Sequence, residues 1–326
     1  MTEQLTINFD EWEINDNSQR PVTPAAVDDL RSFSIRSELA MIKPDLSREP
    51  IYYISFGSGS SGNSCYIGTR KGGVIVDAGV NPDFIADTLR ANGISMQKVQ
   101  GLCLTHDHSD HVRYAYKLLR TNKHLRLYCT NRVLNAILRR HNISSRIKDY
   151  HQPIFKEFPF KIGDFTITAF DVPHDAADNA GFSFVFGDKH FVMATDLGQV
   201  SERARYYMQQ ANYLMIEANY DLHMLRFGPY PEYLKARIRT DHGHMDNVDT
   251  AQFLSEIAGS RLRYIFLCHL SRDNNTPQKA LSVVTEALQK SNFTIGDCTE
   301  SLTDREADLH LMALPRFDAS RLFVLH

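Results

Sequence analysis

The chain has 326 residues, of which 43% are hydrophobic and 23% charged, with a formal net charge of −3. That length supports a substantial core, and that balance excludes a low-complexity or globally basic chain, so any claim on nucleic acid must rest on a local patch. The five cysteines (Cys65, Cys103, Cys129, Cys268 and Cys298) are odd in number and form no CxxC pair, which argues against a disulfide framework or a thiolate zinc site.

Residues 1–48 stand apart from the rest. Positions 1–30 carry seven acids against a single base, Arg20, which predicts a mobile acidic arm. Within it, "LTINFDEWEI" reads as a short strand or a docking peptide. The arm has no apolar signal core, and no stretch reaches the roughly 20 apolar residues of a membrane span. A cytoplasmic protein without a membrane partner is expected.

Residues 49–326 read as one domain. "IYYISFG" and "SCYIGT" are strand-like and joined by the turn "GSGSSGN"; "GGVIVDAG" is a third strand. "PDFIADTLRANGI" has helical apolar spacing between a proline and Gly93. "VQGLCLTH" is a buried-type strand, "HVRYAYKLLRTNK" a helix, "LRLYCT" a strand and "NRVLNAILRRHN" a helix. A β-rich block follows in "FKIGDFTITAFDVPH", "AGFSFVFGD" and "KHFVMATDLG", with Gly-Asp turns. Then come helix "SERARYYMQQA", strand "NYLMIEAN", a helical stretch around 221–240, helix "NVDTAQFLSEIA", strand "LRYIFLCHL" and helix "TPQKALSVVTEALQK". Segments such as "DLHLMAL" add a strand near the end. Runs of strands followed by alternating strands and helices, once in each half, predict two packed sheets with helices outside.

The densest chemistry lies at 105–111, "THDHSDH". His106 and His108 are two apart, so extended backbone projects both to one side. Asp110 and His111 then fall in the first turn of the next helix. Ligands presented from a strand end and from a helix start suit two adjacent metal ions better than one. Further ligand types follow apolar runs at His174, Asp196 and His269, and Asp77 is placed to hold a ligand histidine from behind. A lone histidine after a strand is commonly a loop residue; four such strand ends together with HxHxDH are not.

This combination resembles the metallo-β-lactamase superfamily, over roughly residues 51–295. The resemblance implies an α/β (α+β) fold, a four-layer αββα sandwich with a dinuclear site along one edge. It implies that His106, His108 and His174 bind one metal, that Asp110, His111 and His269 bind the second, and that Asp196 bridges them. His108 stands where the iron enzymes carry glutamate, which favours two zinc or manganese ions over iron. Two such ions share a hydroxide that is nucleophilic at neutral pH, with Asp110 orienting it.

"LMIEANYD" and "DHGHMDN" are similar to segments of the phosphodiesterase branch that includes tRNase Z. There a glutamate, here Glu217, holds a histidine, here His244, as the acid that protonates the leaving oxygen. The competing reading of His244 is a helix-capping residue, and His242 and His223 read better as exposed histidines. "FGSGSSGNSCYI", followed by "VDAG" and "THDHSDH", resembles the YycJ/WalJ-type branch, described as 5′-to-3′ DNA exonucleases. The turn lacks the GK[ST] ending of a P-loop, and Asn63 is placed to hydrogen-bond it. Tyr220 and "GHMDN" depart from that branch's usual His and "GHLSN".

Residues 112–148 add ten bases and no acid, a local patch for a nucleic-acid partner, DNA before RNA, with Tyr114 and Tyr116 for stacking. A solvated helical face is the competing reading. The acidic arm is expected to fold over this patch and compete with substrate, so that deleting residues 1–45 raises activity at low salt. The leading expectation is a metal-dependent phosphodiesterase, a 5′-to-3′ DNA exonuclease. The alternative is a small-molecule ester or thioester hydrolase, of the glyoxalase II or lactonase kind, and a non-catalytic binding protein is the third.

Overall fold

Strands that are apolar at successive positions need cover on both faces. The computed structural model describes residues 49–326 and shows how that cover is supplied. The acidic arm, 1–48, lies outside the described residues. The first half contributes β1 (Ile51–Gly57), β2 (Ser64–Gly68), β3 (Gly73–Val76), β4 (Val99–Cys103), β5 (Leu127–Cys129) and β6 (His151–Pro153). The second contributes β7 (Phe160–Ile162), β8 (Phe165–Asp171), β9 (Ala180–Phe186), β10 (Lys189–Ala194), β11 (Tyr213–Glu217), β12 (Tyr264–Cys268), β13 (Ile295–Gly296) and β14 (Leu309–Ala313). A final strand, β15 (Phe323–Leu325), crosses back to the first sheet.

Two sheets result, ordered β15-β1-β2-β3-β4-β5-β6 and β13-β14-β12-β11-β10-β9-β8-β7. In each, an antiparallel meander gives way to parallel pairing, β3 with β4 in one and β10 with β11, then β11 with β12, in the other. Gly163 and Gly187, in the two expected Gly-Asp turns, sit at φ 57° and 62°, a region that glycine enters without a Cβ clash.

Period-two alternation divides each strand between two cores. Tyr53, Val74, Val76, Phe184, Phe191, Met215 and Phe266 face the neighbouring sheet. Ile54, Ile75 and Leu102 face outward, against Ile85 and Leu89 of α1 (Pro82–Ala91) and Val133 and Ile137 of α4 (Asn131–Arg140). On the other side Leu214, Ile216, Ile265 and Leu267 meet α5 (Glu202–Met208), α8 (Asn247–Ile257) and α9 (Pro277–Lys290). The layers are therefore the expected αββα. Each fully buried phenylalanine between the sheets contributes about 1.5–3 kcal/mol. All five cysteines are free and buried. Among the described residues no helix is long and apolar enough to cross a membrane.

Two helical stretches differ from expectation. "HVRYAYKLLRTNK" is not one helix but α2 (Ser109–Val112) and α3 (Ala115–Thr121). The break is at Tyr114, whose N–H leaves the helical pattern to bond Ala78 O at 2.9 Å, while Ala78 N–H bonds His111 O. The 221–240 stretch is α6 (Leu222–Phe227) and α7 (Glu232–Ile238), separated by "GPYP", where two prolines cannot donate to a continuing helix.

Candidate metal centre and active site

Parallel pairing brings the carboxyl ends of β3 and β4, and of β10, β11 and β12, to common edges. Asp77 directly follows β3, Glu217 ends β11 and His269 directly follows β12. Asp196 follows β10 by two residues, and His174 lies three residues beyond β8. His106 and His108 lie just past the end of β4 rather than on it, and Asp110 and His111 are in α2. Asp77, Asp196 and His269 have φ of 59°, 51° and 53°. Non-glycine residues in this left-handed region cost about 1–3 kcal/mol each and gather at functional sites.

The seven side chains assigned to two metals converge. Ligand atoms of His106, His108 and His174 lie within 4.8 Å of one another, as do those of Asp110, His111 and His269. Asp196 spans the two groups. Its Oδ2 is 3.2 Å from His111 Nε2, while Oδ1 is 3.4 Å from His269 Nε2 and 3.9 Å from His174 Nε2. His106 Nε2, His269 Nε2 and Asp196 Oδ2 are buried without a hydrogen-bond partner. Such orphans are rare in folded proteins and need an explanation. An ion bound among imidazole nitrogens and carboxylate oxygens would supply it, and the donor set is of the kind that takes zinc or manganese.

The electrostatics fit as well. Burial drives the imidazoles of His106, His108 and His174 toward the neutral form that a ligand needs. Burial opposes charge on His111 and His269 too, but the Asp196 carboxylate outweighs it and raises both, His269 to about 10. Asp196, although buried, is held well below its ordinary value by His269 and His111. The carboxylates thus call for positive charge at the centre of the cluster.

Behind the ligands stands a layer of hydrogen bonds. Asp77 Oδ2 is 2.7 Å from His111 Nδ1. Thr105 Oγ1 donates to Asp77 and lies 3.0 Å from His106 Nδ1. His174 Nδ1 meets Gly243 O at 3.0 Å. Glu217, fully buried, accepts from His244 Nδ1 at 2.7 Å and from His269 Nδ1 at 2.8 Å with the same oxygen. Its other oxygen accepts from Leu197 N–H at 2.9 Å. Burial raises a carboxylate, but here His244 and His269 bring Glu217 down to about 2. Burial works against a charged His244, and Glu217 reverses that, leaving its pKa above the ordinary value.

His244 lines a cleft of about 200 Å³ beside the cluster, whereas His242 and His223 are exposed and away from it. Asn63 bonds the glycine turn in both directions at Gly59, and its amide also donates to Asp110 Oδ2 at 3.1 Å. The turn therefore braces Asp110. Cys268 faces the core between the sheets.

Sequence reading missed Thr105, Asn219 and Asp107. Asn219 donates to Glu217 and to His269 O. Asp107 is buried, accepts from Ala177 N–H and pairs with Arg140 at 2.8 Å. The signal available was an aspartate inside HxHxDH left without a role; once buried, its charge requires a partner. The basic segment is partly committed: besides Arg140, Lys117 pairs with Asp83 at 2.8 Å. Arg120, Lys123, Arg132, Arg139, Arg146 and Lys148 are exposed.

Comparison with known proteins follows the same lines. Residues 73–266 match the family described as the beta-lactamase superfamily domain. The exodeoxyribonuclease YycJ of Bacillus anthracis is 31% identical over 251 residues, covering 77% of this chain and 94% of that protein. The exodeoxyribonuclease WalJ of Streptococcus pneumoniae is 33% identical over 245 residues, covering 75% and 90%. In structure, the metallo-beta-lactamase fold protein YhfI of Bacillus subtilis superposes with a TM-score of 0.57 at 13% identity, over 84% of this chain and 99% of that one.

Proposed function

The chain belongs to the β-lactamase superfamily, in its YycJ/WalJ-type branch, and from that membership we propose that it is an exodeoxyribonuclease degrading DNA from the 5′ end. It is a metal-dependent hydrolase, and in this reading residues 49–326 are its hydrolase domain.

His106, His108 and His174 would hold one divalent ion, Asp110, His111 and His269 the other, with Asp196 shared. Bound there, the ions supply Lewis-acid charge and a nucleophile at neutral pH. The chain's own residues do the rest. Asp77 and Thr105 fix the rings of His111 and His106, so that their outer nitrogens would be set to receive an ion. Glu217 holds a proton on His244 Nδ1 and leaves Nε2 free toward the cleft. His244 then protonates the leaving oxygen of a phosphodiester. Asp110 lies beside both groups and orients the attacking water. The exposed bases of 112–148 hold the DNA backbone.

The observation that carries this reading is the Glu217–His244 pair at 2.7 Å beside the seven-residue cluster. A thioester needs no such acid, because a thiolate departs far more readily than a sugar alkoxide. Single- and double-stranded DNA and RNA, labelled at either end and digested with manganese or zinc, test it. Mononucleotides released from the 5′ end of DNA, and none with Asp196→Ala, are expected. Intact DNA with turnover of a thioester or lactam overturns it.

A further inference from the structure

The cleft beside His244 is lined by both apolar and polar side chains. Tyr230, Leu234, Ile238 and Leu270 line it with apolar surface. Ser60, Ser271, Arg237 and Asp175 also line it, together with His244 and His269. Its volume, about 200 Å³, leaves no room for a run of nucleotides.

Arg237 is set there deliberately. Its Nε donates to Asp175 Oδ2 at 2.5 Å, which fixes the plane of the guanidinium. Asp175 in turn sits 3.5 Å from His174 Nε2, so the arginine is tied to the catalytic edge. The two Nη groups make no hydrogen bond within the described residues, and 57% of the side chain is exposed. A tethered guanidinium with its fork open is the geometry that grips phosphate oxygens two at a time.

The polarity of the reaction says which phosphate. In 5′-to-3′ cleavage a water oxygen bonds to the phosphorus between the first and second nucleotides. The P–O3′ bond breaks and its electron pair stays on O3′, which takes a proton from His244 Nε2; the water's proton restores His244 through solvent. The leaving group is thus the first nucleotide, and it lies on the His244 side, in this cleft. We propose that the cleft is the subsite for the 5′-terminal nucleotide and that Arg237 grips its terminal 5′-phosphate. The inference rests on the 5′-to-3′ reading above. It has a consequence for rate. Each cleavage leaves a new 5′-phosphate on the shortened strand, so every round after the first presents the group that Arg237 recognises.

The test compares release of the first and second nucleotides from single-stranded DNA carrying a 5′-phosphate or a 5′-hydroxyl, using metal-loaded wild type. The first release should be roughly 10- to 100-fold faster with the phosphate, while the second proceeds at the same rate from both. Arg237→Gln should lose that ratio, and Arg237→Lys should restore part of it. Arg239→Gln removes the same charge two residues on, outside the cleft, and should keep it. If Arg237→Gln slows both substrates equally, Arg237 merely supports Asp175 and the inference fails. Equal first-release rates in wild type overturn it as well. Release of the 3′ end first by wild type overturns instead the polarity reading on which the inference stands.

Discussion

Glu217→Gln separates two tasks that one carboxylate performs. Glu217 accepts from His244 Nδ1, His269 Nδ1 and Asn219 Nδ2 with one oxygen, and from Leu197 N–H with the other. Glutamine keeps the shape, removes the charge and converts one acceptor to a donor. Each hydrogen bond from an imidazole to the carboxylate is worth about 1.5–3 kcal/mol. Through His269 the change should weaken metal binding about 10- to 100-fold. Through His244 it leaves less of the acid protonated, a loss of up to about 10²–10⁴ in rate. His244→Asn removes the acid alone. Both variants should therefore be slow with saturating manganese, but only Glu217→Gln should need a higher metal concentration for half-maximal activity. The pH profile adds a sign. Glu217 raises the His244 pKa, so wild-type activity falls as pH rises through that value, and in Glu217→Gln the fall moves to lower pH. Equal metal dependence in the two variants, or an unshifted alkaline limb, would refute the shared-carboxylate reasoning.

Other outcomes follow from the same structure. Thr105→Val, which removes the donor to Asp77 while keeping the shape, should leave the fold intact and weaken metal binding about 10- to 100-fold by metal titration. Phe266→Ala empties the space between Tyr53 and Phe323, whose rings lie 4.7 and 5.0 Å away; it should cost about 3–5 kcal/mol by denaturant unfolding. Arg132→Gln with Arg139→Gln should weaken DNA binding and lower the slope of log K against log salt by about two; an unchanged slope removes these residues from the interface. Chelation should lower the melting temperature by several degrees, since metal at 100-fold above Kd adds about 2.7 kcal/mol.

The layers and most of the cluster were legible because both obey short periods. Alternation in "GVIV" and "YIFLC" assigns each residue to one of two cores, and a ligand type directly after an apolar run marks a strand end at the active edge. What escaped was set by contacts distant in sequence. Thr105 is an ordinary strand-end threonine until Asp77, 28 residues away, is seen beneath it. The second hydrogen bond of Glu217, to His269, spans 52 residues and leaves no local mark. Tyr114 breaks a helix whose apolar spacing is unbroken, because Ala78 O competes for its N–H. Nothing local marks Arg140, within the basic segment, as the residue that neutralises the buried Asp107, 33 residues away.

The pairing of β15 with β1, Phe323 opposite Tyr53, has a bearing on biosynthesis. The ribosome makes "IYYISFG" early and its edge partner hundreds of residues later. Until then the nascent chain displays an apolar strand with unpaired amides, a template for association with other chains. His269 also emerges late. The last of the candidate ligands and the cover for β1 thus both come from the later part of the chain, and a chain cut short before residue 323 should leave β1 open and associate.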